Sequence, residues 1–521
     1  MESIWLDPKP AIPTDPFEPG GHYDTVVAGA GLTGLVTALL LSRAGQRVGV
    51  IESRFVGAGT SGHSTAKLSL LQGTTLQQIH KNFSAEVVHA YVEGNSEGQA
   101  WLRQYLDEHS VPHQTRDAFT YAVEAKHMDS LELEASISHE AGLQVRVLEG
   151  PQTGLPFGVA GAITLPDQIQ LDPVAVITAL CADLRGRGGR IFVDTRLQDS
   201  TNSSPLQITT SRGQLGAENL ILATGTPVLD RGGYFAKLEP SRSYAAAYAA
   251  SPGAEPFPHG MYLSVDSPSR SLRTATHRGR DVLLVGGNSH PVGSGVPREA
   301  ARGLERWARE HFTLGERTHA WSAQDYRSIN SVPFVGKMPR SGGKILVATG
   351  YNKWGMTNAV ASALRLSATI LGGQLPWAEV LGHRVSGPTA LAGAALLNAT
   401  VAKDLLSGWA HALTTSEKHH GEPQDEARSA KERPTATAAD GIGGASAENR
   451  GKVLREGLHP VAVSTFNGRT CRVSAICTHL GGILTWNDEE GSWDCPLHGS
   501  RFTPAGTVIE GPATDDLKPA D

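Results

Sequence analysis

The apolar positions of this chain form a few regular patterns punctuated by glycines. After a proline-rich lead, Thr25–Ala28 is a short apolar run that predicts a buried strand. Glycines interrupt it. From Leu32 to Arg43 apolar residues, Leu35, Leu39 and Leu40 among them, predict a helix, and a second strand from Arg47 to Ile51 ends at Glu52. The same strand-to-glycine punctuation returns far downstream. GAENLILATGTPV (216–228) predicts a strand ending at Ala223, Thr224 and Gly225. GGKILVATGYNKWGMTNAVASALRLSATIL (342–371) predicts a strand, a turn at Gly350, and a helix starting near Gly355, Met356 and Thr357. ALAGAALLNATVAKDLLSGWAHAL (390–413) has helical periodicity and could close the first domain or contact the tail. Between Leu413 and Val453 the only large aliphatic is Ile442 and there is no aromatic, so this stretch cannot bury enough apolar surface to order itself. It reads as a linker, placed at 411–440. Beyond it, HPVAVST and TCRVSAI flank the turn FNGR, predicting a hairpin in a small β module over 441–521.

Length and composition narrow the classes. A chain of 521 residues has room for several domains. A net charge of −6 gives no basic footprint for nucleic acid. Four cysteines are too few for a disulfide framework and favour a reducing compartment. No basic start followed by an apolar run marks a signal peptide, and no stretch approaches the roughly 18 apolar residues of a membrane span. A cytoplasmic location is expected.

The first strand–helix–strand unit carries Gly29, Gly31 and Gly34 in the spacing G-x-G-x-x-G. Gly29 permits the turn out of the strand, Gly31 lets backbone approach a pyrophosphate, and Gly34 lets helix and strand pack closely. The helix N-terminus offers free N–H groups to the phosphates. Glu52, 18 residues past Gly34, is placed to accept ribose hydroxyls. Next comes GAGTSGHSTAKLSLLQG (57–73). Together with SIWLD, PDQIQLDP, the paired ATG strands and GYNKWGMT, these motifs resemble the FAD-dependent amine and amino-acid oxidases of the D-amino-acid oxidase superfamily over about residues 3–410. The resemblance implies a discontinuous Rossmann-like α/β FAD domain, in segments near 22–90, 165–230 and 320–375, with an inserted α+β substrate domain. It implies FAD contacts from Ser64, Thr65, Ala66, Thr224, Gly225, Gly350, Gly355, Met356 and Thr357. Lys67, Lys353 and His277 are the catalytic candidates. Arg273, His290, Tyr351 and Trp354 stand in the same segments. Arg327 is either a carboxylate anchor or part of an ion pair, and His63 is the one residue of the wrapping loop that could attach FAD covalently. No nucleophile–base pair points to hydrolysis.

The tail reads Cys477-x-His479, fifteen residues, then Cys495-x-x-His498. Zinc or an iron–sulfur cluster could use such ligands. Zinc fingers keep one ligand type in each half, whereas here each half is mixed. CTHLGG, CPLHGSRF and GPA resemble Rieske [2Fe–2S] motifs, which implies one iron on Cys477 and Cys495 and the other on His479 and His498. Gly482 and Leu497 stand where many Rieske proteins carry a disulfide. Ser500 is placed to donate to a cluster sulfur and Phe502 replaces a second donor, so a middle or low potential is expected. Cys181 and Cys471 read as ordinary thiols. The combined resemblance, to a subfamily with a C-terminal Rieske domain, implies dehydrogenation of an amine or amino-acid-like small molecule. Electrons would pass singly from reduced FAD to the cluster and on to an external acceptor, or in reverse from a donor. The alternatives are a reductase component feeding a partner oxygenase, for which a second dinucleotide fingerprint is missing, and a biosynthetic tailoring oxidoreductase.

Overall fold

Five short apolar strands pair side by side in parallel, in the order Ile345–Thr349, Gly213–Leu222, His22–Ala28, Val48–Ile51 and Arg190–Phe192. Val48–Ile51 and Ile345–Thr349 are buried at every position, as expected for strands covered on both faces. Helices Leu32–Arg43, Pro173–Gly186 and Gly355–Leu371 share one core with this sheet. The middle helix starts on a side-chain cap: Asp172 accepts from the N–H groups of Val174 and Ala175, with Pro173 in the first turn. Phe334–Lys337 joins one edge antiparallel, and the strands Leu197–Ser200 and Leu206–Thr210 extend from Gly213–Leu222. These residues come from three separated stretches of chain, as the three glycine punctuations predict.

The computed structural model describes residues 1–229, 231–383, 388–414, 449–457 and 459–520. From residue 415 onward the expected linker lies outside the described residues, and its first positions, 411–414, end the helix Pro388–Thr414. Between the stretches of the parallel sheet the chain builds a nine-stranded sheet, led by the long strands Leu238–Ala250 and Leu314–Ser328. It is antiparallel except where Met261–Ser264 meets His113–Ala122. Helices Ala85–Glu108, Met128–Glu140 and Pro297–His311 complete this inserted α+β domain.

The tail is all β. Arg450–Glu456, His459–Phe466 and Arg469–Ser474 form one sheet, and four short strands between Thr485 and Glu510 form another. Trp493 and Phe502 are fully buried between them, with Cys477 and Cys495 in the same core. The helix Pro388–Thr414 touches both halves of the molecule. Asn398 donates to the carbonyl of Ala236, Trp409 donates to that of Gly481, and Val401 and Leu405 pack on the tail core.

Candidate active site and metal centre

A cavity of ≈ 730 Å³ opens where the parallel sheet meets the inserted sheet. Its floor is the glycine turn. A Cβ on Gly29 would come within 2.4 Å of the Ala223 carbonyl, and one on Gly34 within 1.9 Å of the Gly29 carbonyl. Both positions therefore need glycine so that strand and helix can touch. Gly31 differs: a Cβ there would meet only the Ser61 side chain, at 3.0 Å, so this glycine keeps the cavity floor open. Glu52 reaches under the turn. One carboxylate oxygen accepts from Ala30 N–H at 3.0 Å and the other from Arg54 N–H at 2.9 Å and the Ser53 hydroxyl at 3.1 Å. The Ser61 hydroxyl accepts from Leu32 N–H at 3.1 Å, tying the wrapping loop to the helix N-terminus.

Of the expected contacts, Gly29, Gly31, Glu52, Ser64, Thr65, Thr224, Gly225, Gly350, Gly355 and Met356 line this cavity, as do Lys67 and Lys353. Three expected contacts are not on its wall. Gly34 packs the helix against the strand. Ala66 turns its carbonyl to Arg273, which is buried and braces the loop by donating also to Leu171. Thr357 faces the interior, where its hydroxyl accepts from Gln72 at 2.8 Å. His277 is also displaced from its expected role. Its strand, Arg270–His277, presents Ser271 to the cavity and then runs away from it. Six residues at ~3.3 Å each put His277 about 20 Å along the strand. His290 lies outside the cavity wall beside Tyr244.

Two lysines face the cavity in different settings. The Lys67 ammonium donates to the Tyr262 carbonyl at 2.8 Å and contacts the Ser271 hydroxyl. Burial, with Arg273 nearby, pushes its pKa well below the usual lysine value. Lys353 has left-handed backbone (φ 69), and its N–H donates to Asp325 at 2.5 Å. Its side chain reaches the open cavity, yet the surrounding protein pushes its pKa down to about 8 against the pull of Asp325. Burial raises the Asp325 carboxyl to about 6. Sequence reading missed Asp325, because nothing in DYRSIN marks this acid as half-buried under the Lys353 N–H. Arg327 lines the cavity and makes no ion pair among the described residues. The His63 ring is held by the Gly59 carbonyl at 2.9 Å, and burial lowers its pKa.

The tail ligands meet in two pairs, thiol with thiol and ring with ring. Cys477 and Cys495 are buried free thiols that hydrogen-bond each other, and the rings of His479 and His498 lie 5.1 Å apart. His498 Nδ1 is buried without a hydrogen-bond partner. Two thiols in the apolar core beside a pair of imidazoles, one with a buried nitrogen that makes no hydrogen bond, fit a Rieske-type [2Fe–2S] cluster. Gly482 packs directly under Leu497, whose side chain a Cβ would meet at 2.7 Å, so an apolar contact takes the place of the interloop disulfide. The Ser500 hydroxyl accepts from Ala513 N–H at 3.0 Å and bonds the Cys477 thiol; Phe502 is sealed in the core.

The two centres share a wall. Ile509, Glu510 and Gly511 of the tail line the same cavity as the glycine turn. Gln324 donates to the Gly499 carbonyl, next to His498, and to the Tyr326 hydroxyl, while the Tyr326 ring abuts Gly225. Phe235 stands edge-on to both His479 and His498. Gly499 sits against Pro240 and Gly293 against Pro496, where a Cβ on either glycine would come within 2.5 and 2.7 Å of its neighbour. Arg242 inserts into the tail, pairing with Glu490 and Glu510. None of these cross-domain partners was legible in the sequence.

The cavity fits FAD: glycine cradle, helix N-terminus and terminal acid stand as such a dinucleotide needs. The comparisons agree. The FAD dependent oxidoreductase family model matches residues 24–369 and the Rieske [2Fe-2S] domain model matches 447–520. The Rieske 2Fe-2S iron-sulfur protein YhfW of Bacillus subtilis (strain 168) is 31% identical over 505 residues, covering 96% of this chain and 93% of its own. The cytochrome b6-f complex iron-sulfur subunit of Synechococcus sp. (strain JA-3-3Ab) is 39% identical over 71 residues, 13% of this chain and 41% of that one. Among solved structures, glycine oxidase from Geobacillus kaustophilus has a TM-score of 0.57 at 18% identity, covering 68% of this chain and 96% of that one. L-proline dehydrogenase from P. horikoshii has 0.56 at 16%, covering 70% and 99%. At these identities the structural likenesses speak to the fold. This chain therefore belongs to the FAD dependent oxidoreductase family and carries a C-terminal Rieske [2Fe-2S] domain.

Proposed function

We propose that the chain dehydrogenates an amine or amino-acid-like small molecule in the shared cavity and passes the electrons one at a time through its Rieske domain to an external acceptor. The carrying observation is the common wall, on which tail residues Ile509–Gly511 face the same space as Gly29, Gly31 and Lys67. When bound, the flavin takes two electrons as a hydride, and the cluster moves them singly. The protein's own groups set up the substrate. An amine must be neutral to be oxidised. Lys67, half-buried and held by Tyr262 and Ser271, has its pKa pushed down by burial and stands ready to take the substrate's ammonium proton. Arg327, unpaired among the described residues, holds a substrate carboxylate in a two-pronged contact. Lys353, poised by Asp325, adds positive charge at the start of the helix Gly355–Leu371.

The reading is tested by anaerobic mixing of the purified protein with a panel of amines and amino acids, following flavin absorbance and the EPR signal of the reduced cluster. Bleaching followed by the cluster signal is the expected result. Bleaching by NADH alone, with no response to any amine, would replace this reading by that of a reductase component.

A further inference from the structure

His277 is absent from the cavity wall and meets two other ligand-type residues instead. Asp7, His277 and His319 come from the N-terminal segment and two strands of the inserted sheet, and their ligand atoms all lie within 4.8 Å of one another. His319 Nε2 is 3.0 Å from Asp7 Oδ2, and His277 Nε2 is 3.9 Å from the same oxygen. The two rings stand edge-to-face, 5.0 Å between centroids. Ordinary ion pairing explains part of this arrangement. Asp7 accepts from Arg278 at 2.8 and 2.9 Å and pairs with His319. It does not explain His277 Nε2, which is buried, makes no hydrogen bond, and is too far from the carboxylate for one.

We propose that Asp7, His277 and His319 bind a divalent ion of the zinc class. Two imidazole nitrogens and one carboxylate oxygen are a borderline donor set that suits zinc and neighbouring transition metals. Bonds of ~2.0–2.1 Å to a common ion place tetrahedral ligand atoms roughly 3.4 Å apart, between the two spacings seen here. The second nitrogen of His319 faces the Thr318 hydroxyl at 3.1 Å, which orients the ring. Arg278 is exposed and, among the described residues, is the one cation outside the site that pairs with the carboxylate. The ion's consequence reaches the flavin loop. Asp7 follows the single turn Ile4–Leu6, and the neighbouring Ser3 and Trp5 side chains donate to the carbonyls of Gly62 and Ser64. A metal that ties Asp7 to the strands clamps the segment bracing that loop.

The test is equilibrium dialysis of the full-length protein, both cofactors in place, against zinc, with bound metal counted by mass spectrometry. Wild type is compared with His277→Gln and Asp7→Asn, which keep side-chain size. One high-affinity zinc per chain is expected in wild type. Each variant should bind it at least about 100-fold more weakly, since loss of even an outer partner of a metal ligand costs 10–100-fold. Zinc held by His419 and His420 would be common to all three proteins and cancels in the comparison. Zinc should also slow flavin release from wild type and leave His277→Gln unchanged. Equal zinc content and affinity in wild type and both variants, or no tight zinc in wild type, overturns the site.

Discussion

Replacing Arg242 by alanine tests whether the Rieske domain is held in one place. Arg242 belongs to the strand Leu238–Ala250 of the inserted sheet, but its guanidinium lies inside the tail. Its Nε donates to Glu490 at 2.6 Å, Nη2 also reaches Glu490 and donates to the Ser322 hydroxyl at 2.5 Å, and Nη1 lies 3.2 Å from Glu510. Arg501 completes the cluster, donating to Glu490 at 2.7 Å, Asp494 at 3.0 Å and Glu510 at 3.3 Å. Two guanidiniums thus face three carboxylates, all nearly removed from water. Burial alone would raise the Glu490 carboxyl; Arg242 and Arg501 instead hold it well below the usual carboxylate range. Without Arg242, one guanidinium must serve three buried carboxylates. Breaking a buried pair from one side costs roughly 3–5 kcal/mol. The tail escapes that cost by undocking and letting water reach Glu490 and Glu510. The docking equilibrium should therefore shift by between about two and four powers of ten, at 1.36 kcal/mol for each. The assay uses full-length protein with a protease site inserted in 415–448. After cleavage, the wild-type pieces should co-elute in size exclusion and the Arg242→Ala pieces should separate. In uncut variant protein, substrate should still bleach the flavin while the EPR signal of the reduced cluster appears more slowly. Arg242→Met combined with Glu490→Gln removes a charge from each side and should recover part of the loss. Co-elution of the cut variant with unchanged cluster reduction would refute the reasoning.

Other substitutions probe single contacts. Gly34→Ala should lower folded yield and thermal midpoint, because its Cβ would lie 1.9 Å from the Gly29 carbonyl. Gly31→Ala meets only the Ser61 side chain, so it should keep the fold and lose flavin, read from bound absorbance and circular dichroism. Glu134 is buried beneath the N–H groups of Leu76 and Gln77, and burial raises its pKa from 4.5 to about 7. A carboxyl raised in the folded state costs nothing below its unfolded value. Its penalty grows as pH rises and is complete above about 7, at roughly 3 kcal/mol. The thermal midpoint of wild type should accordingly fall relative to Glu134→Gln between pH 5 and pH 8.5, and parallel profiles would contradict this. Ser500→Ala removes a hydrogen bond to the Cys477 sulfur. At about 1 kcal/mol, its loss should lower the cluster midpoint by about 40 mV in a redox titration.

Much of this molecule is legible in the chain because the relevant constraints are local. The turn around Gly29, Gly31 and Gly34, the acid at Glu52 and the paired Cys-His motifs act within a few residues of one strand, helix or loop, so their spacing alone carries the geometry. The discontinuous sheet could also be read, since each return strand ends in a glycine that the same floor requires. Other positions were decided only when distant segments met. His277 lies in a segment that resembles an active-site region, but strand direction carries it away from the cavity to Asp7 and His319. Thr357 lies in the first turn of a helix whose N-terminus faces the cavity, yet the helical turn points its hydroxyl at Gln72. Arg242 sits beside Glu239, Ser241 and Ser243 like any polar residue of its strand, and only the docked tail makes it a buried counter-ion to Glu490 and Glu510. Periodicity records which side of an element is buried. What it is buried against depends on residues hundreds of positions away, whose nearness is a property of the fold.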